Sequence, residues 1–254
     1  MIINLARRIT LLVAVLILVV SVGLGFTALK FSSKVIIEQT EEALLNLAEE
    51  GVKHIEAVII KDLSTLQELA NRARAQTMDW EAQRESLRAY VERLGYLDMA
   101  VVTPDGIANY ILSGETADLG DRDYIKKAFQ GEANISDVLI SKVENKAVVM
   151  YAAPIEDGGN VVGVLIGRRD GTALNDITDE MGFGENGYAY IMGVDGTIYA
   201  HPDRKNVMGQ RNVLKDIEID GDFKKCGLAL EELGIGNKGT VHYELLGSER
   251  YMGV

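Results

Sequence analysis

"GYAYIMGVDGTIYAH", residues 187–201, alternates apolar and small residues, breaks at Asp195-Gly196 and then alternates again. This pattern predicts a β-hairpin whose Asp-Gly turn tolerates positive φ. A similar stretch, "LDMAVVTPDGIANYI", occupies residues 97–111, and its Asp105-Gly106 lies 90 positions before Asp195-Gly196. Val101 and Val102 precede the first turn as Ile191 and Met192 precede the second. The spacing predicts one small fold built twice.

Around each hairpin the order of parts repeats. After the first come a polar stretch, "SGETADLGDRDYIKKAFQGE", with a short helix over 124–129, and three strand-like segments at 137–142, 147–155 and 161–169. Their alternation and β-branched content predict a five-stranded antiparallel sheet with helices on one side. A connecting helix over 172–181 leads to the second hairpin. A charged stretch over 204–238 with helical pieces such as "GLALEEL" follows, then strands "TVHYEL" and "RYMGV". Nothing in the second unit stands where 161–169 stands in the first. Its sheet is therefore expected to lack a last strand, an open edge that the rest of a longer chain would cover.

The N-terminal third reads differently. Residues 9–29, "ITLLVAVLILVVSVGLGFTAL", carry no charge over 21 positions and follow Arg7 and Arg8. As a helix this segment measures about 31 Å, a match for a bilayer core of about 30 Å. The positive flank predicts that residues 1–8 stay cytoplasmic and the remainder lies outside, in a single-pass membrane protein. A cleaved signal peptide fits less well, because the helical pattern continues straight through "LKFSSKVIIEQ". Residues 30–76 hold no proline, and Leu45, Ala48, Val52, Ile55, Ile59, Asp62, Leu66 and Leu69 fall at three- and four-residue steps. That seam, broken once by Asp62, predicts a long stalk helix that pairs with its copy in a homodimer. Packing of the same stripe on the chain's own sheets is compatible with it.

Composition narrows the function classes. The net charge of −12 argues against a nucleic-acid partner, which needs a basic face. Cys226 is the only cysteine, so there is no intrachain disulfide, and it reads as a buried structural residue. His54, His201 and His242 are scattered without ligand spacing, and no cofactor is expected. The chain has no G-x-S-x-G, H-E-x-x-H or phosphate-loop motif, so an enzyme is not expected.

The anchor, the long helix and the two tandem units together make an α+β, PAS-like chain. It resembles the double Cache (dCache) sensor domains of bacterial transmembrane receptors of the methyl-accepting chemotaxis type. The resemblance rests on "DRDYIKKAFQGE", "AVVMYAAPIEDGGNVVGVLIGRRDGTAL" and "GENGYAYIMGVDGTIYAHPD". It implies a membrane-distal unit over 77–170 that binds a small molecule, a connecting helix over 171–182 and a membrane-proximal unit over 183–254. Output modules in such receptors include chemotaxis, diguanylate cyclase and histidine kinase modules. A coiled-coil scaffold without a ligand is the competing class.

Arg122 and Tyr124, in "GDRDYI", lie between the hairpin and the central strands. A guanidinium binds a carboxylate in a bidentate fork, and Asp170, ending "VVGVLIGRRD", is placed to accept from an ammonium group. In amino-acid-binding relatives an Arg, two aromatics and a later Asp form the site, which Arg122 and Asp170 match. Tyr124 stands at the first aromatic, Ile125 replaces the second, and Ala117 falls near a further expected Tyr. Tyr110 and Tyr151 are added as pocket residues from their strand positions. The structural alternatives are an ion pair of Arg122 with Asp121 or Asp123, a helix cap at Asp170, and core packing of both tyrosines.

Overall fold

The computed structural model describes residues 5–254, Asn145 excepted; residues 1–4 of the expected cytoplasmic terminus lie outside the described residues. Anchor and stalk form one continuous helix, α1 (Leu5–Ala70), of 66 residues and so about 100 Å long. Among the described residues its most apolar window, long enough to cross a membrane, is entirely exposed. The helix stops at Ala70, short of the expected Gln76. Arg72 is extended (ψ 143°), and a single turn, α2 (Ala73–Gln76), follows it. Helix α3 (Trp80–Arg93) then starts on Asp79, whose carboxylate accepts from the Ala82 amide at 2.8 Å.

The first unit is a mixed-length antiparallel sheet. Its strands are β1 (Asp98–Val102), β2 (Ile107–Tyr110), β3 (Thr116–Asp118), β4 (Asn134–Ile135), β5 (Leu139–Ile140), β6 (Ala147–Asp157) and β7 (Asn160–Asp170), with helix α4 (Asp123–Phe129) after β3. Spatial order is β3-β2-β1-β7-β6-β4, and β5 also pairs with β6. The last strand of this sheet in sequence, β7, thus sits inside it, between β1 and β6. The strand expected over 137–142 shrinks to β5; before it the Ser136 amide donates to the Met150 carbonyl at 2.8 Å, and its hydroxyl, in place of its carbonyl, accepts from the Met150 amide at 3.0 Å.

Alternation along β1, β6 and β7 sorts two cores. Leu66, Leu69 and Ala70 of α1 and Leu87 and Val91 of α3 pack with Met99, Val101, Tyr151, Ala153 and Leu165 on one face. The other face carries Ala100, Val102, Tyr110, Met150, Ala152, Val164 and Ile166 beneath Tyr124, Ile125 and Ala128 of α4. Each fully buried aliphatic side chain there contributes about 2 kcal/mol. Asp62, the break in the apolar seam, lies 2.8 Å from an Arg169 guanidinium nitrogen on β7.

Beyond β7, the helix expected over 172–181 is reduced to α5 (Asn175–Thr178) between turns. The second unit contains β8 (Ile191–Met192), β9 (Ile198–Ala200), α6 (Arg204–Met208), α7 (Lys215–Ile219), α8 (Lys224–Leu233), β10 (Thr240–Leu245) and β11 (Ser248–Gly253). Among the described residues β8–β9 and β10–β11 remain separate two-stranded ladders, and β10–β11 is a hairpin of the β6–β7 kind. The two Asp-Gly turns are wired alike. Gly106 and Gly196 share positive φ (87° and 84°) and donate to Thr103 and Gly193. Their carbonyls accept from Leu119 and Val213, each at 2.9 Å. The second unit also leans on α1: a Cβ at Gly253 would lie 2.7 Å from the Leu45 backbone nitrogen.

Candidate functional site

A small cavity of about 10 Å³ lies between the sheet of the first unit and α4, lined by Tyr110, Leu119, Arg122, Tyr124, Leu139, Ser141, Lys142 and Met150. That is room for about one water molecule, far below the hundreds of Å³ a small ligand occupies. Three strand-and-helix features bring the cavity residues together. Tyr110 ends β2, Met150 sits mid-β6, and Arg122 is the extended residue immediately before α4 (ψ 133°).

The Arg122 Nε lies 3.9 Å from Asp121 Oδ1, and among the described residues this buried nitrogen has no hydrogen-bond partner. A guanidinium left partly unsatisfied beside a cavity is a ready partner for an anion. Burial pushes the phenols of Tyr110 and Tyr124 upward, so both keep their proton as donors at neutral pH. Lys142 closes the cavity mouth by donating to Asp121 Oδ1 at 2.7 Å and to the Asp118 carbonyl at 2.9 Å. The Lys142 hydrogen bond holds the Asp121 carboxyl below the usual carboxylate range.

Of the five residues singled out in the sequence, Arg122, Tyr124 and Tyr110 line this cavity. Asp170 stands on the same face two residues beyond Arg168, exposed, and its Oδ1 accepts from the Thr172 amide (2.9 Å) and hydroxyl (2.6 Å). Tyr151 points to the opposite face, where its ring meets Tyr96 edge-on at 6.1 Å beside α1. Sequence reasoning passed over Arg168, Ser141, Lys142 and Glu144. The signal available was the charged pair Arg168-Arg169 inside an otherwise apolar strand, where one side chain must enter each core.

The second unit lacks this arrangement. Counting from Leu119 and Val213, whose amides bond the two turn glycines, Asp216 occupies the place of Arg122, and it is buried and already satisfied by Arg211 at 2.6 Å and the Phe223 amide at 3.0 Å. Its interior is aromatic instead: His201 lies 5.3–5.9 Å from the rings of Tyr188, Tyr190 and Phe223. Cys226 is buried against Tyr190, and burial pushes its thiol up. No group of three His, Cys, Asp or Glu able to hold a metal stands together among the described residues.

A long apolar N-terminal helix thus leads into a mixed helix and antiparallel-sheet chain with a small cavity beside its largest sheet. The chain belongs to the double Cache family: the Cache-domain family model matches residues 30–254. It is 30% identical over 78 residues to the methyl-accepting chemotaxis protein PctB of Pseudomonas aeruginosa, covering 31% of this chain and 12% of that protein. It is 27% identical over 134 residues to McpA of Bacillus subtilis, 52% of this chain and 18% of that protein. The matches thus span less than a fifth of either relative. In structure it is similar to the PctB ligand-binding domain in complex with L-Arg (TM-score 0.63, 21% identity, 84% of this chain and 87% of that one). It is also similar to the ligand-binding domain of the Pseudomonas fluorescens chemoreceptor CtaA in complex with L-serine (0.63, 16%, 83% and 88%). This is a sensory family rather than an enzyme class.

Proposed function

We propose that the chain is the sensing part of a bacterial transmembrane chemoreceptor and binds a small carboxylate or amino-acid-like molecule in its first sheet unit. The observation that carries this reading is the Arg122 guanidinium, incompletely hydrogen-bonded at the wall of a cavity closed by α4. Arg122 takes the carboxylate, Tyr110 and Tyr124 shape the cavity, and Asp170, at the end of the same row, meets an ammonium group once its turn opens. Residues 77–170 are then the membrane-distal binding unit, 171–182 a connector and 183–254 the membrane-proximal unit.

Orientation follows from charge: Arg7 and Arg8 stay in the cytoplasm, residues 9–29 cross the bilayer once, and the rest is extracytoplasmic. Apolar Ile36, Val52 and Ile60 are exposed on α1, which supports pairing of two stalks in a homodimer. Relatives known from their structures hold free amino acids, which supports the ligand class without fixing the ligand.

The experiment is thermal unfolding of the full chain in detergent micelles against amino acids, organic acids, amines and purines. A ligand that raises Tm for the native chain, and no longer does so in Arg122→Ala of unchanged basal Tm, supports the reading. An identical shift in both proteins would remove Arg122 from the site.

A further inference from the structure

Arg168 lies at the centre of the sheet on the cavity face and is only 2% exposed. In the ladder it is flanked by Asp98 on β1 and Met150 on β6, and its guanidinium stands 4.9 Å over the Tyr110 ring. Tyr110 and Met150 both line the cavity, so Arg168 lies directly behind its wall.

The charge is poorly matched. Nη2 donates to Glu144 Oε1 at 2.7 Å, while Nε and Nη1 are buried without hydrogen-bond partners. Asp98 does not compensate, because its carboxylate is committed to the amides of Met99, Leu112 and Ser113 at 2.8–3.1 Å. Buried N–H groups without acceptors are unfavourable, and a permanent structural pair would use the guanidinium fork. Glu144 instead reaches in from the β5–β6 turn, one-third exposed, and meets the fork at one corner. Lys142 of the same turn spans to Asp121 on the other side of the cavity. One turn therefore closes the site with two ion pairs, and one of them offers Arg168 a carboxylate from the protein itself.

We propose that Arg168 is a second anion-binding residue of this site, and that the ligand carries two carboxylates, one held by Arg122 and the other by Arg168 in place of Glu144. This rests on the sensor reading above and narrows its ligand class. Displacing Glu144 frees the turn and gives the buried fork a bidentate partner.

The test is isothermal titration of the full chain in detergent micelles with L-glutamate and L-glutamine, and with L-aspartate and L-asparagine. Each amide is nearly the same shape as its acid without the second charge. The expected result is at least tenfold tighter binding of one acid than of its amide. Arg168→Met abolishes that gap and leaves amide affinity within threefold, and Arg168→Lys restores part of it. Glu144→Gln, a partly exposed change independent of core folding, tightens the acid by threefold or more. Equal affinity of acids and amides in the native chain overturns the proposal, as does a Glu144→Gln variant with unaltered acid affinity. An acid–amide gap that persists unchanged in Arg168→Met, with binding still lost in Arg122→Ala, overturns this second subsite alone. Absence of binding by all four overturns it together with the amino-acid-like ligand class.

Discussion

Arg168 and Arg169 are consecutive in β7 and serve opposite faces of one sheet. Arg168 lies behind the cavity wall with Glu144, while Arg169 sits 2.8 Å from Asp62 of α1 and donates to the Leu94 carbonyl at 3.0 Å. The Arg169 guanidinium also lies 5.0 and 5.2 Å over the rings of Tyr96 and Tyr151. One peptide unit at the sheet centre therefore connects the candidate site to the long helix. A shift of β7 by an ångström or so at Arg168 reaches α1 without crossing a loop, the scale at which packed helices switch.

Asp62→Ala removes the carboxylate paired with Arg169. Both partners are about four-fifths buried, so a loss of about 2–3 kcal/mol of stability is expected, less than for a fully buried pair. Chemical denaturation measures it. The double variant Asp62→Ala, Arg169→Met should recover part of the loss, and failure to recover would mean the pair is not coupled.

Tyrosine substitutions separate the two faces. Tyr110→Phe should weaken binding of a carboxylate ligand severalfold, because a protonated phenol at the cavity is lost. Tyr151→Phe, on the α1 face, should leave affinity within twofold. Titration of both variants with the same ligand decides the matter, and a larger effect at Tyr151 would count against the cavity as the binding site.

Gly167 faces the Tyr96 ring so closely that a Cβ would lie 2.7 Å from two of its carbons. Gly167→Ala should therefore cost about 1–3 kcal/mol through overpacking. Tyr96→Ala in the same chain should make the alanine tolerable, a coupling that a double-mutant cycle reads directly.

His201 is buried, and its Nδ1 accepts from the Asp203 amide at 2.9 Å, which leaves the proton on Nε2 among aromatic rings. Burial is the main cause that lowers its pKa below the ordinary histidine value. A depressed folded pKa means the unfolded chain binds the proton first. Stability is therefore full above about pH 6.5 and declines as pH falls further. Tm should fall by about 2–4 °C between pH 7.5 and 5 beyond any carboxylate effect, and His201→Asn should lose that component. An unchanged slope in the variant would place the titration elsewhere.

The local signals in the chain were strong where one physical cause dominates. Twenty-one uncharged residues after two arginines make a predominantly apolar helical segment whose most apolar window is wholly exposed among the described residues. Asp105-Gly106 and Asp195-Gly196 dictate tight turns because glycine alone accepts their positive φ without strain. Alternation likewise gave β1, β6, β7, β10 and β11 their places, and Arg122 and Tyr124 were legible from a polar loop between strands. Helix ends were less so: α1 stops at Ala70 because the chain must turn to bring α3 over the sheet, a requirement no heptad pattern contains.

Pairings across the sheet arise only in three dimensions. Whether Tyr151 faces the cavity or α1 depends on the register of β6, and a shift of one residue exchanges the two faces. The same holds for Arg168 and Arg169, whose neighbours Glu144 and Asp62 are 24 and more than 100 positions away in sequence. Asp62, an apparent flaw in an apolar seam, becomes intelligible only when β7 delivers Arg169 beside it. Sequence alone determined the long apolar helix, the two Asp-Gly hairpins and the polar loop that carries Arg122 and Tyr124. Tertiary packing decided which of those residues meet, because burial forces each charge to find a partner from whatever strand the fold brings next to it.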